Sequence, residues 1–260
     1  MLIVYQSRAP RQVDKSFRFF GRCGTFYDVS RPTLSCIIIT LNEEKYLPRL
    51  LESLKSQTVD SFEVIVADYH STDDTRRIAR DYGCVIINGG DFSAGRNRGA
   101  SKAKGDYLLF LDADCILPSD FIEVNLDRFK LSRKGAATTN VTPLSSRAVD
   151  WAIYGFYNLW SRIMARISPH GCGASIFATR QTYEQIGGFD ERVVFAENHD
   201  FVRRAKPFGF MILPQAISTS VRRLKHEGRI RSIAKSLYSG LYRLLIKELD
   251  KELFKYDNHR

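Results

Sequence analysis

The sequence predicts an α/β fold: a doubly wound, mostly parallel sheet with flanking helices. Three observations carry that expectation. Short apolar runs alternate with segments of helical periodicity from Leu34 to Leu111; those runs are continuous rather than polar on alternate residues; and three of them end in carboxylates or amides. A chain of 260 residues, 44% hydrophobic and 26% charged, can build one large core, which excludes a small disulfide-stapled scaffold and a disordered chain.

Each element has its own signal. Cys36-Ile37-Ile38-Ile39 reads as a buried strand. Leu47, Leu50, Leu51 and Leu54 follow at the i, i+3, i+4, i+7 spacing of an amphipathic helix, with Pro48 tolerable only in its first turn. Val64-Ile65-Val66 is the next strand, and a helix is expected from near Ser71, with Asp73 and Asp74 in its first turn where acids suit the helix dipole. Strand Val85-Ile86-Ile87, a helix over 94–104 and a strand over 107–111 complete the alternation. Beyond them the pattern predicts a helix at 121–129, a strand at 136–141, a helix at 150–167 and a strand at 175–178. The 150–167 helix carries Ile153, Phe156, Tyr157, Trp160, Ile163, Met164 and Ile167 on one face, suited to core packing or to a membrane surface.

Charge divides the chain into a basic extension over 1–33, a domain over 34–220 and basic amphipathic helices over 221–260. The central domain is neutral, with 22 Lys and Arg against 22 acids, so the formal +10 sits at the ends. The C-terminal segment, Arg222-Arg223-Leu224-Lys225 followed by Ile230, Ile233, Leu237, Leu241 and Leu244, suits docking on anionic lipid or covering the domain. A neutral centre argues against a nucleic-acid partner. Five cysteines without a CxxC pair read as reduced, mostly buried thiols. No apolar run reaches the roughly 18 residues of a membrane span, and the start lacks a secretory core, so the expected location is cytoplasmic, with peripheral contact on the cytoplasmic face of an anionic membrane at most.

The chemistry sits at the strand ends. The strand 107–111 runs into Asp112-Ala113-Asp114; alternate residues of an extended segment project to one side, so the two carboxylates are suited to hold Mg²⁺ or Mn²⁺ while phosphate oxygens fill the remaining positions. Asp68 ends the strand 63–67, and Thr40-Leu41-Asn42-Glu43-Glu44 ends the first. Polar groups from three parallel strands thereby meet at one sheet edge, where doubly wound folds bind ligands.

In this order the motifs resemble family 2 of the inverting, nucleotide-sugar-dependent glycosyltransferases, with the GT-A fold, over residues 34 to about 214. The matching pieces are Ile38 through Glu44, Val66 through Thr75, Arg96-Asn97-Arg98-Gly99-Ala100, Leu109 through Asp114, and Gly187-Gly188-Phe189-Asp190-Glu191. The resemblance implies that 34–133 is the nucleotide-sugar half and 134–220 the acceptor half. It implies that Thr40, Asn42, Glu43 and Asp68 hold the base and ribose, that Arg96 lies by the nucleotide pocket, that Asp112 faces ribose and metal, and that Asp114 binds the metal. The donor it implies is a nucleoside-diphosphate sugar, UDP-linked by preference. The acceptor is a glycan, a lipid-linked molecule or a polyprenyl phosphate. Gly171-Cys172-Gly173-Ala174-Ser175 falls where such enzymes build part of the acceptor site.

Two departures stand out. Asp68-Tyr69-His70-Ser71 replaces the usual pair of acids followed by Gly-Ser, and Ala196-Glu197-Asn198-His199-Asp200 has Asn198 where the family's catalytic Asp falls. An amide cannot take a proton from an acceptor hydroxyl. Glu197 or Asp200 is then the base, or a phosphate acceptor arrives already ionised and needs none. Two other classes remain open: a sugar-nucleotide-binding scaffold on a decayed transferase fold, and a phosphatase using Asp112 as nucleophile, although the Gly-Thr usual after that DxD is absent.

Overall fold

The computed structural model describes residues 32–193 and 196–229. The extension 1–31, with Cys23, and the helices expected after Arg229 lie outside the described residues. The first half is β1 (Leu34–Thr40), α1 (Leu47–Lys55), β2 (Phe62–Asp68), α2 (Thr75–Asp81), β3 (Val85–Asn88), α3 (Phe92–Lys102) and β4 (Tyr107–Asp112). The second half is β5 (Cys115–Ile116), α4 (Phe121–Ser132), β6 (Ala136–Pro143), α5 (Ala148–Met164), β7 (Ser175–Thr179), α6 (Arg180–Gln185), α7 (Glu197–Ala205), β8 (Phe210–Thr219) and α8 (Arg222–Glu227).

One sheet runs through both halves in the order β3-β2-β1-β4-β7-β6-β8-β5. Strands β1 to β4 are parallel, as their continuous apolar sequences predict. The second half is mixed: β7 is antiparallel to β4 and β6, β8 is parallel to β6, and β5 is antiparallel to β8. The period-2 geometry of β1 explains why its sequence shows no polar alternation. Leu34, Cys36 and Ile38 enter the core beneath α1 and α4, while Ile37 enters the opposite core with Leu108, Phe110, Ile176, Phe189 and Phe201. Leu47, Leu50, Leu51 and Leu54 of α1 are buried as their spacing predicts, each contributing roughly 1.5–3 kcal/mol.

Three expectations are corrected. Helix α2 begins at Thr75, not near Ser71, because side chains hold the preceding turn: the Ser71 amide donates to Asp68, the Thr72 amide to Asn42 and the Thr75 amide to Asp73. Asp73 and Asp74 therefore precede the helix. The aromatic face read on α5 is divided rather than a single core face: Met164 is buried and Tyr157 packs against the core, whereas Phe156, Ile163 and Ile167 are exposed. Asp112 and Asp114 do not share an extended strand, because β4 stops at Asp112 and the chain turns through Ala113 and Asp114.

Helix α3 lies unusually close to β1. A Cβ on Gly99 would overlap Ile37 Cγ2, and one on Gly95 would come within 3.1 Å of Ile39 Cγ2. Between these glycines Arg96 is carried to the sheet edge. Gly99→Ala is expected to destabilise the fold by about 1–3 kcal/mol, since the helix must lift off Ile37; urea unfolding reads this as a lower midpoint at unchanged slope.

Candidate active site

The register of β1 sets the site. Thr40 pairs with Asp68 of β2 on one side and Ile39 with Asp112 of β4 on the other, so both carboxylates flank the end of one central strand. The connections reverse direction between β1 and β4, which makes this the switch point of the parallel half.

Asp68 is fully buried and saturated. One oxygen accepts from the hydroxyls of Thr40 (3.0 Å) and Ser71; the other accepts from the Ser71 amide (3.1 Å) and Arg76 Nη1 (2.9 Å). Asn42, in the left-handed region at φ 54°, donates its amide to Ser71 Oγ (2.9 Å) and accepts from the Thr72 amide (2.9 Å). Asparagine adopts this backbone readily, so the β1 and β2 loops interlock at little strain. The Glu43 amide donates to Thr75 Oγ1 at 2.7 Å, closing the same loop pair. His70 is exposed beside Tyr69.

Arg96 is no solvated helix residue. Its side chain is 1% exposed, and it donates to Asp112 Oδ1 at 3.0 Å and Glu197 Oε1 at 2.9 Å, joining the DxD to the first residue of α7. The guanidinium lies 5.3 Å from the centre of the Phe189 ring. Next in sequence, Asn97 donates to the Phe189 carbonyl and to Glu191 Oε1 and accepts from the Phe189 amide, each at 2.9 Å. The Arg96-Asn97 and Gly187-through-Glu191 motifs, far apart in sequence, are therefore two halves of one clamp.

A second cation closes the other flank. Arg222, at the start of α8, donates to both Glu43 oxygens at 2.7 Å, its Nε lies 3.0 Å from Asp114 Oδ2, and its guanidinium lies 4.6 Å from the Tyr46 ring centre. Ser220 Oγ also donates to Asp114 Oδ2. Neither the Glu43 nor the Asp114 contact was legible in sequence: Arg222 reads there as one of a run of basic residues, and only the path of β8 brings it home.

The candidate bases fare differently. Glu197 is buried at the head of α7, aimed by Ala196 in a left-handed conformation (φ 55°) that costs a non-glycine residue roughly 1–2 kcal/mol. Asp200 bonds to none of the other candidates; it accepts from Arg203 (3.3 Å) and Arg204 (2.7 Å) of its own helix. Asn198 faces the site instead. A Cβ on Gly173 would sit 2.6 Å from Asn198 Nδ2 and 3.2 Å from Asp112 Oδ2, and Asn198 Oδ1 is buried without a hydrogen-bond partner. Glycine at 173 thus keeps open a gap between Asn198 and the DxD.

Thiol chemistry is disfavoured here. Burial, helped by Asp114 and Asp112, raises the Cys115 pKa well above the ordinary range, and burial pushes Cys172 up to about 12. No group of three or more His, Cys, Asp or Glu able to hold a metal occurs among the described residues. The donor set at Asp112 and Asp114 is nonetheless hard, oxygen-only and already matched to a cation at Asp114, which fits an ion that completes its shell on phosphate oxygens and water.

The profile of "Glycosyl transferase family 2" matches residues 35–176, over half of the chain. Chondroitin synthase of Escherichia coli is 28% identical over 192 residues, covering 68% of this chain and 27% of that protein. Of 4,4'-diaponeurosporenoate glycosyltransferase of Staphylococcus aureus the chain spans 46%, so it covers about a quarter to a half of these relatives. Mannosyltransferase PcManGT from Pyrobaculum calidifontis, solved with GDP-Man and Mn²⁺, superimposes with a TM-score of 0.60 at 21% identity, covering 81% of this chain and 66% of that one. S. aureus TarS 1-349 with UDP-GlcNAc gives 0.58 at 24%, over 72% and 58%. At these identities the superpositions establish the fold, an α/β sheet of the same kind.

Arg96→Met leaves Glu197 buried without its cation and is expected to cost about 3–5 kcal/mol. Glu197→Gln in the same background should recover part of that loss, and a urea-unfolding double-mutant cycle reads the coupling.

Proposed function

Because the chain belongs to glycosyltransferase family 2, we propose that it transfers a sugar from a nucleoside-diphosphate donor, UDP-linked by preference, to an acceptor in one in-line displacement with inversion at the anomeric carbon. The observation that carries the reading is the pairing of each DxD carboxylate with a different arginine at the switch point, Asp112 with Arg96 and Asp114 with Arg222. Such a cradle of fixed charges suits a diphosphate leaving group. Asp112 and Asp114 would hold Mn²⁺ or Mg²⁺, which neutralises charge on the departing diphosphate when bound. A donor found with Mn²⁺ in the Pyrobaculum neighbour and a UDP-sugar in TarS support this class of donor.

The chain's own residues take defined parts. Asp68, Thr40, Asn42 and Ser71 form the rigid floor on which base and ribose rest, and Glu43 is held at its edge. Arg222 can exchange its Glu43 carboxylate for a diphosphate, since both present paired oxygens to a guanidinium. Arg96 keeps Asp112 turned to the site.

For the acceptor we propose a phosphate group, as on a polyprenyl phosphate. Its oxygen attacks C1 already ionised, the bond from C1 to the diphosphate oxygen breaks with its electron pair, and no proton has to leave. Three observations favour this over a hydroxyl: Asn198 holds the position of the base, Glu197 is bound to Arg96, and Asp200 is bound to Arg203 and Arg204. A glycan hydroxyl with Glu197 as base is the alternative.

Thermal unfolding with Mn²⁺ and a panel of nucleoside diphosphates tests the donor. A ligand at about 100 times its Kd should stabilise by roughly 2.7 kcal/mol, and Asp114→Asn should remove the metal-dependent part. No shift with any diphosphate would overturn the donor reading, and a shift without turnover on any acceptor would favour the decayed scaffold. Asn198→Asp separates the acceptors: one added like charge, worth roughly 1.4 kcal/mol, should slow transfer to a phosphate about tenfold, whereas transfer to a hydroxyl should quicken.

A further inference from the structure

Helix α5 turns an apolar side away from the other described residues. Val149, Phe156, Leu159, Ile163 and Ile167 are 49% to 64% exposed, and their spacing of three or four residues, continued by Ala152, lines them along one side of the helix. Trp151 is 51% exposed beside them. The opposite side is anchored: Asp150 is buried and paired with Arg229 (2.7 Å), Asn158 donates to the Val141 carbonyl (2.8 Å), and Ser161 and Met164 are buried. A soluble helix of this kind would present its polar side to water; contiguous apolar surface of this sort marks a contact face.

The charge around the stripe selects what contacts it. Arg162 and Arg166 flank it one turn apart, Arg147 stands at its N-terminal end, and neither Arg162 nor Arg166 forms an ion pair among the described residues. From 147 to 167 the only acid is Asp150, already buried against Arg229. A second copy of the chain would bring the same wholly basic rim against itself, a like-charge match. Arg162 and Arg166, with Asn140 and Pro214, also line a cavity of about 340 Å³ at the edge of the stripe, a cationic recess able to take a headgroup phosphate. We propose that α5 is an interfacial helix that seats this protein on an anionic lipid surface, its apolar residues in the acyl boundary and its arginines at the phosphates.

The seat adjoins the site. From the anchored side of α5, Tyr154 donates to the Ser220 carbonyl at 3.3 Å, and Ser220 Oγ donates to Asp114. A chain lying on α5 therefore holds its DxD one residue removed from the lipid-bound helix. The consequence that the acceptor is lipid-borne rests on the phosphate-acceptor reading above; lipid binding itself does not.

The test is co-sedimentation of the full chain with vesicles of phosphatidylcholine alone and of phosphatidylcholine mixed with phosphatidylglycerol. Binding is expected to the mixed vesicles only, weakening with salt. The pair Phe156→Glu and Ile163→Glu should lower it at least about tenfold, and the pair Arg162→Glu and Arg166→Glu should remove the preference for anionic lipid. All replaced side chains are exposed, and the diphosphate-induced thermal shift, measured on the same samples, should match the wild type; a variant that loses lipid but keeps that shift fails at the seat and not at the donor site. The proposal is overturned if the wild type ignores anionic vesicles, if the Phe156/Ile163 variant binds them as well as the wild type does, or if the wild type is a dimer that this variant splits.

Discussion

The site depends on a single buried guanidinium. Arg96 is 1% exposed and holds Asp112 and Glu197 at once, so the last residue of β4 and the head of α7 have one common fixed point. Burying such a group costs several kcal/mol per ion, and a well-packed apolar cluster would stabilise the fold as well or better. What the ion pairs supply is position: without Arg96, two acids from opposite halves of the sheet would repel across the cleft. The glycines of α3 make it feasible, because only a helix lying directly on Ile37 and Ile39 can push an arginine to the strand ends.

Arg222 gives the same solution on the opposite flank, from the other end of the chain. Glu43, Asp114 and Ser220 all bind one another through it or beside it, and it closes the second half of the domain onto the first. The acids of the cleft are thus balanced by the protein's own cations. A divalent ion entering at Asp114 competes with Arg222, while an entering diphosphate offers that arginine another partner. Metal and donor are accordingly expected to favour each other's arrival, each compensating the displacement the other requires.

Much of this was legible in sequence, for local reasons. Strands β1, β2 and β4 announce themselves because both faces are buried, and Thr40, Asp68, Asp112 and Asp114 because each ends or follows a strand. What sequence could not convey were contacts spanning long separations. Arg96 looks like any helix arginine until α7 supplies Glu197, 101 residues on, and Arg222 looks like part of a basic run until β8 returns it to Glu43, 179 residues away. Strand β8 itself was missed because Pro214 and Gln215 interrupt its pattern, a bulge the sheet absorbs by a register shift opposite Thr139 to Val141. The apolar stripe of α5 was read only in part: Phe156, Ile163 and Ile167 are exposed, Tyr157 and Met164 lie toward the protein, and the exposed Val149 and Leu159 were not counted, since periodicity reports that a helix has a face and not what lies against it.

Of the two departures from the family pattern, the one at Asn198 bears on the acceptor's chemistry. Where a base would stand, Asn198 presents a neutral amide whose Oδ1 has no partner, across a gap from Asp112 that the missing side chain of Gly173 leaves open. With the proposed diphosphate bound beside Asp112 and Asp114, a carboxylate there would add a further negative group, and an incoming phosphate would bring another. An amide avoids that repulsion and can still orient an oxygen by hydrogen bonding. On the proposed phosphate acceptor, the usual Asp would oppose the incoming anion and Asn198 would not, so the absence of a base at this position is compatible with transfer.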